Sequence, residues 1–385
     1  MTKLPETNRR SFLKAATAMT AMAVLPPIVK KAHSQTNAPD ASNTSNLMTG
    51  DLKVTGQRTL GTGPAAMTVS ALGFGCMGLN YHRSIRLDKK QAFYLLHRAV
   101  DYGITLFDTA ETYGPFINEE LVGEGLAGYG DKIKVTTKFG FNYNGNKVTG
   151  LNSSPKRIRE MVNQSLKRLR RDYIDLLYQH RFDPATPVED VAGTIKDLIK
   201  EGKVKHWGMC EVSAATLRKA HKELPLTALQ SEYHLMWREP ESDILPVLRE
   251  LGIGFVPYSP LNRGFLTGML NEYTEFDSSN DNRAAYPRFT PQAMRHNLKI
   301  VEILNQFGRP RGITPAQIAL AWLMNKGDWI VPIPGTTKLS HLEENIRAAD
   351  IRISQKDWKN LENELAGIKI MGDRYPADQQ AQVGK

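Results

Sequence analysis

The feature that most constrains this chain is an alternation repeated eight times: a short apolar run, an amphipathic stretch, then the next apolar run. The runs lie at 70–76, 105–107, 133–136, 174–178, 206–210, 228–229, 254–257 and 329–333. Unbroken apolar runs of this kind suit strands buried on both faces, and strands alternating with helices pair in parallel. Eight such units predict an α/β fold of the (β/α)8 TIM-barrel type rather than an open sheet. A hairpin, 58–60 with 67–69, is expected ahead of the barrel.

The amphipathic stretches carry proper ends. Asp88 with Gln91 spells a capping box, and Gly103 stops that helix. Ser154-Pro155 is an N-cap followed by proline at the first helical position, and RIREMVNQSLKRLRRD then repeats its apolar residues at helical spacing. Thr314-Pro315 opens AQIALAWLMNKG, which Gly327 closes.

With 385 residues, 41% of them hydrophobic, the chain can bury a sizeable core. Mean hydropathy is −0.39, and beyond the N-terminus no apolar run is long enough to span a bilayer. The net charge is +10, yet residues 1–34 hold six Lys/Arg against one acidic residue, about half of the excess. No basic run interleaved with aromatics remains, which argues against nucleic-acid binding. Cys76 and Cys210 have neither the spacing of a metal site nor the number for a disulfide scaffold, and read as buried thiols.

The N-terminus reads as an address. Asn8-Arg9-Arg10-Ser11-Phe12-Leu13-Lys14 resembles a twin-arginine export signal. A modest apolar stretch follows, then Lys30-Lys31 and the small-residue end Ala32-His33-Ser34. The expected organisation is a signal at 1–34, a polar flexible spacer at 35–52 and a catalytic barrel at 53–385. The resemblance implies the Tat export machinery as partner, carriage of a folded protein with its cofactor in place, and a periplasmic destination without stable membrane insertion.

Gly73-Phe74-Gly75-Cys76-Met77-Gly78 matches a GxGxxG pattern after a strand. A dinucleotide fingerprint needs a helix to begin at its third glycine, whereas here the helix begins only at Asp88. The run reads instead as a tight strand exit.

Four polar residues stand at or just past the ends of apolar runs: Asp108 and Tyr113 in ITLFDTAETYG, Lys138 in KVTTKFG and His180 in IDLLYQH. Strand C-termini are where a barrel gathers its chemistry. Taken singly, each has an ordinary reading as turn former, packed ring, loop charge or satisfied core histidine. Together they supply the parts for protonating a carbonyl oxygen. A phenol is a reluctant acid, a neighbouring ammonium lowers its pKa, a carboxylate holds the ammonium, and an imidazole orients the substrate oxygen.

Asp108-Thr109-Ala110, Tyr113-Gly114, Asn118-Glu119-Glu120, Lys138 and His180 together resemble the aldo-keto reductase family pattern, and the likeness runs over about 53–370. The resemblance implies Tyr113 as general acid, Lys138 and Asp108 as its tuning pair, His180 as substrate orienter, hydride delivery from a nicotinamide, and no metal. It implies carboxamide contacts from Cys210, Glu211 and Gln230, where the family commonly has Ser-Asn in place of Cys210-Glu211. It implies a ring from Tyr258 on the nicotinamide, and pyrophosphate contacts from Ser259, Leu261 and Arg263. It implies an adenosine site at Gly335, Thr336, Thr337, Lys338, His341, Glu344 and Asn345. Lys338 and His341, the latter in place of a common Arg, favour NADPH over NADH. The long segment 262–295 is expected to fold over the pyrophosphate, and loops 80–87, 141–151 and 237–242 to wall the substrate pocket. GDRYP at 372–376 resembles one branch of the family.

The expected activity is reduction of aldehydes or ketones by an NAD(P)H-dependent oxidoreductase. The alternatives are a nicotinamide-bound redox sensor or accessory subunit with little turnover, and a barrel lyase using Lys138 as a Schiff base.

Overall fold

The computed structural model describes residues 52–83 and 85–385. The expected signal at 1–34, and all but the last residue of the spacer at 35–52, lie outside the described residues.

The chain opens with an antiparallel hairpin, β1 (Gln57–Leu60) and β2 (Met67–Ser70). The barrel follows: β3 (Phe74–Gly75), α1 (Lys89–Asp101), β4 (Leu106–Asp108), α2 (Ile117–Gly125), β5 (Lys134–Phe139). A second hairpin, β6 (Phe141–Asn144) and β7 (Lys147–Leu151), interrupts the alternation. Then come α3 (Pro155–Leu169), β8 (Ile174–Gln179), α4 (Val188–Lys200), β9 (Val204–Cys210) and α5 (Ala214–Glu223). They lead to β10 (Ala228–Glu232), α6 (Ile244–Leu251), β11 (Gly254–Tyr258), α7 (Pro291–Gly308) and α8 (Pro315–Asn325). Helices α9 (Leu339–Arg347), α10 (Gln355–Ala366) and α11 (Ala377–Gln380) complete the order.

Seven parallel strands form one sheet in the order β11-β10-β9-β8-β5-β4-β3. The eighth segment closes it without being a regular strand. Val331 N–H donates to Phe255 O (2.9 Å) and Ile333 N–H to Pro257 O (3.2 Å) on one side. On the other, Gly73 N–H donates to Pro332 O (3.0 Å) and Gly75 N–H to Pro334 O (3.2 Å). Pro332 and Pro334 accept but have no N–H to give, so the ladder toward β3 runs one way only. The result is the expected (β/α)8 barrel.

Gly75 of the GxGxxG run has its explanation here. A Cβ on Gly75 would lie 2.8 Å from Ile333 O, and one on Gly335 2.5 Å from Gly75 O. Bare backbone lets the first and last strands of the barrel touch.

The helix ends match their sequence signals. Asp88 and Thr314 form capping boxes with Gln91 and Gln317, and Ser154 caps α3. Helix α8 is buried from Pro315 to Met324, as an apolar helix without a polar face must be. Two expectations need correction. Ser70 pairs in the hairpin rather than in the first barrel strand, which is only Phe74–Gly75. The segment 262–295 is a loop only to Thr290, because α7 starts at Pro291 behind its Thr290 cap.

Hairpin β1–β2 plugs the barrel floor, where Leu60, Met67 and Val69 pack with Leu106, Leu176, Val256 and Val331. The other end of the barrel is left to polar residues.

Candidate active site

Three successive strands deliver polar groups to the mouth. Asp108 ends β4, Lys138 lies in β5, and His180 directly follows β8. Tyr113 comes from the turn between β4 and α2. The fully buried Lys138 ammonium spends its three protons on three acceptors: Asp108 Oδ1 at 2.5 Å, Thr109 O at 2.8 Å and the Tyr113 hydroxyl oxygen at 3.2 Å. The second Asp108 oxygen accepts from Thr136 Oγ1 (2.7 Å) and Gln230 Nε2 (2.8 Å). The carboxylate is thus anchored on both oxygens and holds the ammonium. Because the phenol oxygen accepts from Lys138, its own proton is left to point away from the lysine.

The electrostatics refine the expectation of an acidified phenol. Burial pushes the Tyr113 hydroxyl up to about 12, even though Lys138 pulls it down. Burial would lower Lys138, but Asp108 and Tyr113 outweigh it and raise the ammonium above its ordinary value. A charged lysine with three acceptors is no Schiff-base nucleophile, which removes the lyase alternative. His180 is held neutral by burial, with Arg181 and Lys138 adding to the effect. Its ring meets Tyr113 edge-on at 6.0 Å between centroids, and its buried Nδ1 has no protein partner.

The next three exits form a second cluster. Cys210 faces the barrel interior, and burial pushes its thiol up to about 12 despite Lys138 and Arg181. Glu211 sits in the left-handed region (φ 55°) and accepts from Glu232 N–H (2.8 Å) and from Arg374. Fully buried Glu232 accepts from Arg263 Nη1 and Nη2 (2.8 and 3.0 Å) and Arg374 Nε (2.9 Å), and pairs with His234 Nε2 (2.9 Å). Burial alone would raise this carboxyl, but Arg263, His234 and Arg374 hold it well below the usual range. Half-buried Tyr258 bonds through its hydroxyl to Arg374 Nη2 (2.8 Å) and the Tyr375 hydroxyl (2.5 Å). Ser259, Asn262 and Arg263 adopt φ of 49°, 46° and 53°, a concentration of backbone strain typical of functional loops.

Gly335, Thr336, Thr337, Lys338, His341, Glu344 and Asn345 gather at the start of α9. Gly335, Lys338 and His341 are exposed there, and Asn345 is buried. Lys338 is the N-cap, and no side chain caps this helix, so its first N–H groups remain open. Segment 141–151, expected as a loop, is the β6–β7 hairpin, and its Phe141 ring packs on His180 at 5.3 Å.

Residues 71–365 match the Aldo/keto reductase family. The sequence is 41% identical over 314 residues to a probable aldo-keto reductase 1 of Glycine max, covering 81% of this chain and 90% of that one. The chain belongs to the aldo/keto reductase family. Residues 6–26 match the twin-arginine translocation signal sequence. Among solved structures, a glycerol dehydrogenase of Gluconobacter oxydans superposes with a TM-score of 0.72 at 27% identity, over 81% of this chain and 96% of that one. The holo form of an aldo-keto reductase of Bacillus halodurans shares the fold, with a TM-score of 0.67 at 24% identity, over 83% and 98% of the two chains. This reductase is therefore an oxidoreductase of carbonyl substrates, from a family that generally uses NADH or NADPH.

The residues of this aldo-keto reductase suit such a dinucleotide. At one end the uncapped start of α9, flanked by Lys338 and His341, offers N–H donors and positive charge to phosphate. At the other, the Tyr113 and His180 rings meet edge-on, and the Tyr113 proton points away from Lys138. Two expected contacts are committed elsewhere. Gln230 donates to Asp108 and so steadies the Lys138 pair. Arg263 spends both terminal nitrogens on Glu232, so its charge is already neutralised.

Sequence reasoning missed Thr136, Arg374 and Tyr375. Thr136 lies within a strand run and looks like a β-former. Arg374-Tyr375 stood in the quoted GDRYP segment without a role, because nothing in that segment says which carboxylates it will meet.

Proposed function

We propose that this reductase converts aldehydes or ketones to alcohols with NADPH in the periplasm, with Tyr113 as general acid. The observation that carries the reading is the directed chain Asp108–Lys138–Tyr113, in which the ammonium gives its last proton bond to the phenol oxygen. Bound NADPH would supply the hydride to the carbonyl carbon. Tyr113 gives its proton to the carbonyl oxygen, and Lys138 steadies the phenolate left behind. Asp108 keeps Lys138 charged and in place. Neutral His180 orients the oxygen with a ring N–H. Tyr258 flanks the nicotinamide, Glu211 and Cys210 line its carboxamide corner, and the Ser259–Leu261 turn receives the pyrophosphate. Lys338 and His341 meet the 2′-phosphate, with Thr336, Thr337, Glu344 and Asn345 around the adenosine.

In this reading residues 1–34 are removed after Tat export, 35–52 serve as a spacer, and the barrel travels folded with its nucleotide. The Tat-type signal supports the route.

Steady-state assays over a panel of aldehydes and ketones test the activity. NADPH should be oxidised in proportion to substrate, with a lower KM than NADH. The reverse reaction needs the phenolate, so with a phenol near 12 alcohol oxidation should climb steadily from pH 7 to alkaline pH. Nucleotide binding without turnover on any carbonyl would turn the reading to a redox sensor or accessory subunit.

A further inference from the structure

A single guanidinium ties together the exits of three neighbouring strands, and it comes from outside the barrel. Arg374 reaches Glu211 after β9, Glu232 at the end of β10 and Tyr258 at the end of β11. It is 4% exposed and lies between the rings of Trp237 (5.1 Å) and Tyr375 (4.8 Å). Its neighbour Tyr375 takes the same Tyr258 hydroxyl at 2.5 Å.

The segment that carries these residues is led to the site by built contacts. Asn297 on α7 bonds both Met371 N–H (3.0 Å) and Met371 O (2.9 Å). Gly372 then turns with φ of 87°, where an added Cβ would lie 2.7 Å from Arg288 Cα and Pro287 O. Only glycine allows this path. All of it follows α10, after the eight barrel units are complete, so it adds nothing to closure of the sheet.

The charges explain what the hook does. Glu211 and Glu232 are two buried carboxylates at one corner, and Glu232 also holds Arg263. Without Arg374, Glu211 loses the guanidinium bonded to it and is offset by the more distant charge of Arg181, beside a groove meant for an anionic dinucleotide. Without the hydroxyl contacts, the Tyr258 ring would lose what fixes its polar end.

We propose that Arg374 and Tyr375 are positioning residues for the nicotinamide end of the groove. They fix the Tyr258 ring by its hydroxyl and neutralise Glu211, so that dinucleotide affinity depends on a segment outside the barrel. The proposal rests on the dinucleotide reading above.

The test is a fluorescence titration of the full chain with NADPH, alongside thermal melts and separate kcat and KM values. Arg374→Ala should weaken NADPH binding by about 10- to 100-fold, as loss of a charged hydrogen-bonding partner does. Tyr375→Phe, which deletes one oxygen, should weaken it by about two- to tenfold with an unchanged melting temperature. In both, KM for NADPH should rise far more than kcat falls. Glu211→Gln placed on Arg374→Ala removes the charge left without its bonded partner and should restore most of the lost affinity, whereas a purely structural role would restore the melting temperature and leave affinity where it was. If Arg374→Ala does not fold, Tyr375→Phe and the double variant decide. Wild-type affinity in Tyr375→Phe, or a double variant as weak as Arg374→Ala, overturns the proposal alone. A wild-type protein that binds neither NADPH nor NADH overturns the dinucleotide reading, and this proposal with it.

Discussion

The two ends of the barrel are built from different materials. At the floor, Leu60, Met67 and Val69 fill the space between strands with apolar atoms, and Leu60 is fully buried. Arg58 closes that end by donating to the carbonyl oxygens of Met324, Gly327 and Ile330. At the mouth, by contrast, Asp108, Lys138, Glu211, Glu232 and Arg374 are all buried and charged. Non-glycine residues in left-handed backbone cluster there too, at Glu211, Ser259, Asn262 and Arg263. Apolar burial stabilises without direction, while buried ions cost desolvation and hold only if each partner is present. The floor therefore serves stability, and the mouth accepts instability in return for placed charges.

The largest expected effect is at the mouth. Lys138→Met removes the ammonium that lowers the Tyr113 pKa, and leaves Asp108 buried without its cation. Reduction should slow by about 100- to 10,000-fold. With the cation gone the phenol pKa rises further, so the alkaline climb of alcohol oxidation should shift to higher pH. A stopped-flow pH series reads both, and an unshifted profile would separate Lys138 from the phenol.

Leu60→Ala is the matching change at the floor. It should cost about 2–5 kcal/mol of stability by opening a cavity. In denaturant melts the midpoint should fall while kcat and KM of the folded protein stay put. A large loss of kcat with intact stability would erase the division between the two ends.

The smallest effect belongs at the far end of the groove. His341 is exposed at the uncapped start of α9, so His341→Arg should tighten NADPH binding by no more than the worth of an exposed ion pair, about 0.2–1 kcal/mol. NADH affinity should not change. Equal tightening of both nucleotides in a titration would place residue 341 away from the 2′-phosphate.

How much of this was legible in the sequence follows the same division. The alternation of strands and helices is local, so the barrel could be read from it, and the Asp88, Ser154 and Thr314 caps fell where their residues placed them. The eighth strand was found by its apolar run, but its one-sided ladder depends on where Pro332 and Pro334 meet Gly73 and Gly75. Asp108, Lys138 and His180 were conspicuous because polar residues at the ends of apolar runs stand out. Arg374 was not, since its carboxylates lie 163 and 142 residues earlier in the chain. Gln230 entered through the family resemblance as a carboxamide contact, and only the closed barrel turns its amide onto Asp108. The balance of burial against Lys138 at Tyr113 also needed the three-dimensional surroundings, because residue types alone give the attraction and not the desolvation.

The most direct measurement is a paired one on Tyr113→Phe: an NADPH titration and a single-turnover reduction of the best aldehyde or ketone. The account predicts wild-type nucleotide affinity together with a reduction rate lower by about 100- to 10,000-fold, since only the transferable proton is gone. Reduction at close to the wild-type rate would contradict it.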